Sequence, residues 1–567
     1  MRCLTFGGAR LCVGDSDRFG ALGLVVAQAI ASACLEDHAH CRSRREEALT
    51  EEEIRYSLSL LTSAPTILEH VLNDWIFIGR GLACVCMTFK QITAQIRSGA
   101  VDTVVVAFPD VFGRLVGKRF TGKFFLDHVA KQGTHGCNYL LTVNLEMDPQ
   151  DGFELANWEQ GFGDFALRPD LSTLRVLPWQ AGTALVLCDF THQDGKLVEE
   201  APRSVLRRQV ELLAKKKFSA CLASELEFFL FNNTFHEAFA AEYRNLTPSS
   251  DYRIDYHTMQ PARDEPLMRQ VRNQMPAAGV PVESSKGEWG RGQHEVNFIY
   301  DRALPMADMH VLFKQGIKEI AAQHGKCITF MAKPWASEVG SSCHVHLSVW
   351  RGGQNLFWDA KDGSHVSRDV KRKDVKRKDV KRKDVKREGV KREIAPGGSP
   401  LFRQFLGGLM KYSPELCCFF APTINSYKRY QAASWAPTKM AWSHDNRTVG
   451  FRIVGSHGSF RIENRMPGAD ANPYLAYAAM LAAGMAGVEE QLDCGEEYRG
   501  NAYVDGELRG LPTSLREATE LLEGSKLARR AFGDAVVDFY VHTARLEVAG
   551  FGNAVTDWER VRYFERI

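Results

Sequence analysis

The order of apolar and polar positions along the chain predicts a mixed α+β protein. Residues 101–108 are apolar and largely β-branched, a Pro-Asp-Val-Phe-Gly-Arg segment interrupts them, and residues 115–120 resume the pattern. This predicts two strands joined by a tight turn. Residues 139–147 and 183–190 have the same character, so residues 91–195 are expected to form a small sheet domain.

Helical signals dominate the rest of the chain. Residues 199–217 repeat apolar positions at helical spacing and carry Pro202 near their start. Asn472 followed by Pro473 predicts the N-cap and first residue of an Ala-rich helix that runs to residue 492.

A second, larger α+β domain is expected at residues 200–567. Near its C-terminal end, Ser514 and Glu517 have the spacing of a capping box. Residues 1–90 show little periodicity apart from a predicted helix at 51–73. They are assigned as an N-terminal extension without a function.

The chain contains one segment of unusual charge, at residues 368–393. Within a formal net charge of +2, this segment holds 14 Lys and Arg against 6 Asp and Glu, whereas the remainder holds 57 basic and 63 acidic residues. The body is therefore mildly acidic and does not indicate a nucleic-acid partner. The segment repeats Asp-Val-Lys-Arg-Lys with a period of five, which favours a solvated loop over a basic arm for nucleic acid or another anionic surface.

Cysteine usage and hydropathy indicate a cytoplasmic protein. The 14 cysteines are scattered, and no two have the C-x-x-C spacing of a zinc or redox site, so reduced thiols are expected. The most apolar early run, at residues 21–35, is too short for a membrane span and lacks the cationic flank of a signal peptide. No membrane partner is expected, and organellar targeting by the N-terminal extension stays open.

Carboxylates recur in pairs on predicted strands. Glu225 and Glu227 lie two residues apart in an apolar Cys-Leu-Ala-Ser-Glu-Leu-Glu-Phe-Phe-Leu-Phe run, so they share one face of a strand. Buried like charges repel unless a cation lies between them, which indicates a metal ion; a solvent-facing strand is the alternative. Downstream, a Gly-rich segment predicts a turn that brings Glu288 toward Glu295, or an ordinary hairpin without function.

Imidazoles and guanidiniums follow with the same spacing. His344 and His346 share one face of a predicted strand, and so do Arg461, Glu463 and Arg465. A solvated salt-bridge ladder is the alternative for the second group. Oxygen-rich ligation with one imidazole per ion suits Mg²⁺ or Mn²⁺ better than Zn²⁺.

Further cations lie in the same part of the chain, at Arg429, Arg447 and Arg452. Arginines that bind phosphate and carboxylate groups beside divalent metal ions are typical of a phosphoryl-transfer site. No Walker A loop or kinase signature accompanies them, so a different nucleotide-binding fold is expected.

In this order, the motifs resemble the glutamine synthetase family over about residues 91–567. They are Glu-x-Glu-Phe-Phe-Leu-Phe, Gly-Gln-His-Glu, Gly-Ser-x-x-His-x-His-x-Ser, Asn-Ser-Tyr-Lys-Arg, and Arg-Ile-Glu-x-Arg followed by Ala-Asn-Pro-Tyr. The C-terminal Thr-Asp-Trp-Glu-Arg segment is similar to the branch that includes γ-glutamylamine ligases and lengsin. The resemblance implies a β-grasp domain at 91–195, a catalytic half-barrel at 200–567, and homo-oligomeric rings with sites between subunits.

The resemblance also implies roles for individual positions. Glu227, Glu288 and Glu295 match ligands of a metal ion near glutamate, and Glu225, His344 and Glu463 match ligands of a metal ion near the nucleotide phosphates. Arg429 and Arg465 match catalytic positions that grip the glutamate carboxylates, with Gly340 near the amino group, and Arg447 matches the position that stabilises the transferring phosphoryl group. Glu283, His346, Ser348, Arg452 and Arg461 match the ATP side of the site.

The implied reaction is phosphorylation of the glutamate γ-carboxylate by ATP, followed by attack of an amine on the acyl phosphate. Two positions depart from ammonia-using members: residues 156–164 replace an Asp-Gly-Ser-Ser loop, and Trp435 replaces a flap Glu. An alkylamine can use an aromatic wall through cation–π contact. The sequence therefore predicts a γ-glutamylamine ligase. An ammonia-using glutamine synthetase is the alternative, and a non-enzymatic, lengsin-like structural protein is an alternative of another class.

Overall fold

The computed structural model describes residues 2–6, 9–13, 87–259, 261–359 and 398–567. The chain divides into two units, Met1–Gly81 and Leu82–Ile567. In the first unit, β1 (Arg2–Phe6) and β2 (Ala9–Val13) form an antiparallel pair. The helix predicted at 51–73 lies outside the described residues, as does the whole basic segment at 368–393.

Six strands form the first sheet of the second unit. They are β3 (Thr103–Pro109), β4 (Leu115–Thr121), β5 (Thr134–Cys137), β6 (Asp164–Pro169), β7 (Arg175–Val176) and β8 (Thr183–Thr191). The order is β4-β3-β8-β6-β5, with β7 beside β8. The predicted hairpin of β3 and β4 and the predicted strand at β8 are confirmed.

The strand predicted at 139–147 is wrong. Asn138–Leu141 form a 3-10 turn, and the Asn144 side chain accepts a hydrogen bond from the backbone N–H of Asp148 at 2.8 Å. Such local side-chain bonds offer the backbone an alternative to a sheet ladder.

Ten strands form the second sheet, which curls into a half-barrel. They are β9 (Ser219–Phe231), β10 (Val282–Gly287), β11 (Gln293–Phe298), β12 (Asp301–Arg302), β13 (Cys327–Thr329), β14 (Cys343–Arg351), β15 (Gln354–Asn355), β16 (Trp442–His444), β17 (Phe451–Val454) and β18 (Arg461–Asn464). The order is β10-β11-β9-β14-β18-β17-β16, with β12 and β13 beside β9 and β15 beside β14. β16 and β17 run parallel, and the other pairs run antiparallel.

Helices pack on both sheets. Those of six or more residues in the described part are α1 (Phe89–Ser98), α2 (Pro202–Lys215), α3 (Phe235–Ala240), α4 (Glu265–Ala277), α5 (Ala303–Gln323), α6 (Pro400–Tyr412), α7 (Pro473–Glu489), α8 (Leu515–Glu523), α9 (Lys526–Phe532), α10 (Asp534–Asn553) and α11 (Asp557–Tyr563). Within the described residues, no helix has the length and apolar character needed to cross a membrane.

Two helix starts follow the predicted caps. The Asn472 side chain accepts a hydrogen bond from Tyr474 at the start of α7, which ends at Glu489, three residues before the predicted end. Ser514 caps α8, but the capping box is only half formed, because the Glu517 carboxylate accepts from Thr513 instead of Ser514.

The core explains which face of β9 carries polar groups. α7 is apolar on all sides and almost completely buried, as expected for a helix inside a domain. Ser224, on the rear face of β9, contacts His310 of α5 at 2.8 Å and Tyr477 of α7 at 2.5 Å. The opposite face of β9, which carries Glu225 and Glu227, is thereby left to the site.

A buried ion cluster joins the two sheets. Arg203 of α2 contacts Asp170 and Asp189 of the first sheet at 2.7 and 2.6 Å, and Asp308 of α5 at 3.0 Å. The Tyr474 hydroxyl donates to Asp308 at 2.6 Å. One guanidinium therefore fixes the first sheet against the helices behind the second sheet.

Candidate metal and substrate site

Adjacent strands bring the predicted acidic and imidazole side chains together. In the register of β11, β9, β14 and β18, the opposed pairs are Glu227 with Glu295, Glu225 with His344, and Glu463 with His346. Because alternate residues of a strand share a face, these side chains gather on one side of the sheet. The shared face predicted for Glu225 and Glu227 is confirmed.

The side chains form two clusters whose ligand atoms lie within 4.8 Å of one another in each. The histidine cluster contains Glu225, His344 and Glu463, and the carboxylate cluster contains Glu227, Glu288 and Glu295. The turn between β10 and β11 returns Glu288 toward Glu295, as the Gly-rich segment predicted; Gly292 has a φ of 71° there.

Cations within the protein compensate the histidine cluster. Glu463 contacts Arg465 at 2.5 Å and Arg452 at 2.9 Å, and His344 Nδ1 lies 2.8 Å from Glu225 Oε1. Burial by itself raises the pKa of Glu463, but Arg465 and the nearby imidazoles outweigh it and lower that pKa to about 2. The pKa of Glu225 lies well below its usual value because hydrogen bonds from His344 and His346 outweigh burial.

The carboxylate cluster is poorly compensated. Burial, followed by repulsion from Glu288, raises the pKa of Glu227 to about 8. Burial, followed by repulsion from Glu225 and Glu288, raises the pKa of Glu295 to about 11. Lys286 contacts Glu288 and lies 3.8 Å from Glu295, yet this one ammonium does not offset the repulsion.

The donor sets fit divalent cations. Carboxylate oxygens with at most one imidazole are the ligands that Mg²⁺ and Mn²⁺ prefer. His344 Nε2 is buried and has no hydrogen-bond partner among the described residues, which is costly unless a ligand takes that position. A cation would also relieve the repulsion that raises the pKa of Glu227.

A cavity of about 480 Å³ lies over this face of the sheet. The predicted residues that line it are Glu225, Glu227, Glu288, Glu295, Gly340, His344, Arg429, Arg447, Arg452 and Arg465. Most of the predicted metal and substrate positions therefore share one cavity.

Five predicted residues do not line this cavity: Glu283, His346, Ser348, Arg461 and Glu463. Glu463 lies behind it, paired with Arg452 and Arg465. His346 Nε2 lies 3.4 Å from Glu225 Oε2, and Arg461 Nε donates to His346 Nδ1 at 3.1 Å. Ser348 accepts from the Trp350 indole at 2.8 Å.

Arg429 is a buried guanidinium without an ion-pair partner among the described residues. It is 1% exposed, donates to Ser342 Oγ at 3.1 Å and to the Met466 carbonyl, and its Nε has no partner in the described chain. None of the described carboxylates lies within ion-pair distance of it. The close packing of Arg429 requires Gly340, because a Cβ there would lie 2.5 Å from Arg429 Cγ.

Arg447, unlike the buried Arg429, is exposed. Its side chain is exposed, lines the cavity, and has no hydrogen bond or ion pair with any described residue. It is therefore free to reach an anion in the cavity.

Sequence reasoning missed several cavity residues. Trp289 packs edge-on against Trp435 with ring centroids 5.8 Å apart, and both line the cavity together with Tyr256. Gln293 donates to Glu227 Oε2 at 3.3 Å and to the Gly340 carbonyl at 3.1 Å. The Gly-Gln-His-Glu motif contained the signal for Gln293. Trp158 was predicted to mark a changed loop and does not line the cavity of this chain.

A half-barrel sheet that presents two acidic clusters and buried guanidiniums to one cavity has the chemistry expected of a site for divalent metal ions and anionic substrates. The chain belongs to the glutamine synthetase family: the family model for the glutamine synthetase catalytic domain matches residues 199–372 and 389–563. The gap between the two matched segments falls inside the basic repeat. The family predicted from the ordered motifs is thus confirmed.

Individual relatives are named for amine ligation. The chain is 47% identical to a γ-glutamylethanolamide synthetase of Streptomyces coelicolor over 84% of this chain and 96% of that protein. It is 36% identical to a glutamate–isopropylamine ligase of a Pseudomonas species over 82% of this chain and 96% of that protein. Among solved structures, GmaS in complex with ADP is similar, with a TM-score of 0.68, 27% identity, and coverage of 83% of this chain and 99% of that chain.

Proposed function

We propose that this chain is an ATP-dependent ligase that joins the γ-carboxylate of glutamate to an organic amine. The observation that carries the proposal is the cavity in which Arg429, a buried guanidinium without an ion-pair partner among the described residues, lies beside two acidic clusters and an aromatic wall. The relatives named for glutamate–amine ligation support the same reaction.

The arginines take the anionic substrates. Arg429 has unpaired donors at the cavity and receives a carboxylate of glutamate. Arg465 supports that carboxylate while its Nη1 stays paired with Glu463. Arg447, exposed and unpaired in the described chain, contacts the phosphoryl group while it moves from ATP to glutamate.

The reaction has two steps. An oxygen of the γ-carboxylate attacks the γ-phosphorus of ATP, the bond to the β-phosphate oxygen breaks, and ADP leaves with an acyl phosphate formed. The amine nitrogen then attacks the acyl carbon, loses a proton, and expels inorganic phosphate. Glu227, Glu288 and Glu295 would hold one divalent metal ion of the site, and Glu225, His344 and Glu463 would hold a second. Bound divalent cations would neutralise the phosphate charges during transfer.

The aromatic wall selects the acceptor. Trp435 is 47% exposed and stands with Trp289 and Tyr256 at the cavity. Ammonium is best bound by carboxylates, whereas an alkylammonium gains cation–π and apolar contact from indole rings. This supports an organic amine over ammonia, the alternative acceptor.

Finer features of the family are part of the proposal. The first sheet is the β-grasp domain, within bounds of 91–195, and the catalytic domain spans 200–567 with the basic insert at 368–393. The metal is Mg²⁺ or Mn²⁺, and Glu283, His346, Ser348, Arg452 and Arg461 serve ATP. The subunits form rings, which is supported by the exposed Trp158 loop available to a neighbouring site, and the scattered cysteines support a cytoplasmic location.

An acceptor assay tests this function. With Mn²⁺, ATP and glutamate present, phosphate release is measured for ethanolamine, isopropylamine, a polyamine and ammonia at equal concentrations. We expect one of the organic amines to give the highest kcat/KM. Ammonia as the best acceptor would identify a glutamine synthetase, and the absence of both ATP and Mn²⁺ binding in a thermal-shift titration would favour the non-enzymatic alternative.

A further inference from the structure

A second cavity, of about 450 Å³, lies away from the acidic clusters. Its walls come from the turn between β3 and β4, one face of α5, the segment after β13, and the loop that leads to Arg429. Lys314 and Lys318 of α5, Phe330, and Thr423 and Asn425 of the loop all line it. The volume suits a small organic ligand.

Two ammonium groups enter this cavity from one helix face. Lys314 and Lys318 are four residues apart, so they lie on the same side of α5. Their Nζ atoms are 5.1 and 5.8 Å from the centroid of the Phe330 ring. The cavity therefore presents two cations around one aromatic face.

Neither of these lysines forms an ion pair with a described carboxylate. Lys314 Nζ donates to the Ala469 carbonyl at 2.8 Å, which satisfies one of its three donors. Neither lysine has a carboxylate within the 4.0 Å ion-pair distance among the described residues. Burial, followed by repulsion from Lys318, outweighs the attraction of Asp470 and lowers the pKa of Lys314 to about 8.

Other charged groups also line the cavity, and one carboxylate oxygen among them, Asp470 Oδ1, is buried without a hydrogen-bond partner in the described chain. Arg114 pairs with Asp110 at 2.7 Å, and Asp470 Oδ2 accepts from Thr423 and Ser426 at 3.0 and 2.6 Å. Burial raises the pKa of the Glu547 carboxyl, which also lines the cavity. Because Arg114 is paired with Asp110, the two lysines are the cations of this wall that have no ion-pair partner among the described residues.

Part of the cavity wall is apolar. This part of the wall consists of apolar side chains that include Phe112, Leu115, Phe330 and Met331. Contact with them is unfavourable for a hydrated inorganic ion, because the ion would lose water without gaining polar contacts. A ligand that satisfies both sets of groups carries an anionic end and a compact apolar body.

We propose that this cavity binds a small organic carboxylate at a site separate from the glutamate pocket. Lys314 and Lys318 hold the carboxylate, and the body packs on Phe330 and Leu115.

The position of the cavity allows a bound ligand to influence the proposed glutamate pocket through the loop that leads to Arg429. The Asn425 side chain, on the cavity wall, donates to the Lys333 carbonyl and accepts from the Lys333 amide, both at 2.8 Å. Asn425 lies within the helical turn Ile424–Tyr427, which ends two residues before Arg429. Occupancy is therefore expected to change the KM for glutamate more than kcat.

Direct binding to the full-length protein tests the site. Calorimetric titration with benzoate, as a probe with a ring and one carboxylate, is compared with uncharged benzamide and with inorganic phosphate. We expect benzoate to bind at least tenfold more tightly than either. Equal binding of benzamide or phosphate would overturn the requirement for a carboxylate joined to an apolar body.

Variants locate the bound probe. Lys318→Met, at an exposed position that does not endanger folding, should weaken benzoate binding at least tenfold, and Lys314→Met should do the same. The matched control is Lys411→Met on α6, which removes a lysine far from the cavity wall and should leave the affinity unchanged. If Arg429→Lys abolishes benzoate binding while the Lys314 and Lys318 variants retain it, benzoate occupies the glutamate pocket and the second site is refuted.

Discussion

The histidine cluster and the carboxylate cluster lie on neighbouring strands of one sheet, yet they balance charge in opposite ways. Glu463 pairs with two guanidiniums, and Arg465 together with the nearby imidazoles outweighs burial and lowers its pKa to about 2. Glu295 faces other carboxylates, and burial with that repulsion raises its pKa to about 11. The protein itself supplies the cations of the histidine cluster, whereas the carboxylate cluster requires a cation from outside.

This difference in charge balance suggests different roles for the two clusters. A cluster that is internally paired is preorganised and keeps its shape during turnover. Carboxyl groups with raised pKa values retain protons when no metal ion is bound, and a divalent cation that replaces those protons would contribute to stability as well as to chemistry.

The largest effect is expected when the paired cluster is broken. Glu463→Ala leaves the buried Arg465 and the partly buried Arg452 without their shared partner. Removal of one member of a buried ion pair costs about 3–5 kcal/mol, so we expect a large fall in urea midpoint as well as loss of ATP turnover. Unchanged stability and kinetics would show that this strand is not part of the site.

Removal of one charged side chain from the carboxylate cluster should not lower the unfolding midpoint, in contrast to Glu463→Ala. Glu295→Gln removes one of the mutually repelling carboxyl groups while keeping its shape. We expect loss of turnover but an equal or higher unfolding midpoint when the protein is assayed in EDTA. A destabilisation as large as that of Glu463→Ala would contradict the proposed contrast between the clusters.

The pH dependence of the free energy of unfolding should also distinguish the two clusters. Glu227 and Glu295 have folded pKa values of about 8 and about 11, above the ordinary value for a free glutamic acid. The folded state therefore binds more protons than the unfolded state between about pH 4.5 and 8, and stability in EDTA should fall as pH rises through that window, by up to about 1.4 kcal/mol per pH unit for each retained proton.

The stabilisation by bound Mn²⁺ should increase with pH, whereas the stability of the metal-free protein falls. Because a carboxylate must lose its proton to bind a cation, Mn²⁺ binding should tighten with rising pH and release protons. We expect the Mn²⁺-induced rise in Tm to be larger at pH 8 than at pH 6. A rise that is independent of pH would place the dominant metal in the histidine cluster instead.

The sequence predicted the clusters better than their charge balance. The spacing of Glu225 with Glu227, and of Arg461 with Glu463 and Arg465, identified the strands and their shared faces, because alternation is a local property of a strand. The register that sets Glu227 against Glu295 depends on long-range pairing, and the residues alone could not give it.

Other errors have a local cause. Residues 139–147 were predicted as a strand from their apolar residues, but Asn144 bonds its neighbouring backbone instead. Trp289 was part of a Gly-rich motif and had no assigned role, since its contact with Trp435 joins positions 146 residues apart. The second cavity has no sequence motif at all, because its wall residues come from many separate segments between Phe112 and Glu547.

A smaller effect is expected at the aromatic wall beside the carboxylate cluster. Trp435→Glu replaces an indole with the acidic flap residue implied for ammonia-using members. A cation–π contact contributes about 0.5–2 kcal/mol, so we expect the ratio of kcat/KM for ethanolamine over ammonia to fall about tenfold. Trp558→Ala, at an exposed tryptophan on α11, is the control and should leave the ratio unchanged.

The smallest expected effect concerns Lys286, the one cation that contacts the carboxylate cluster within the described chain. Lys286→Met removes a positive charge that repels a bound metal ion, which favours binding, but it also removes a charge that helps Glu295 to ionise, which opposes binding at low pH. Screening of this partly exposed group leaves a net gain of about threefold in Mn²⁺ affinity at pH 8.5 and less at pH 6. Calorimetry measures both values, with Lys286→Arg as the charge-retaining control. Weaker Mn²⁺ binding at both pH values would mean that Lys286 organises the carboxylates and does not compete with the metal ion.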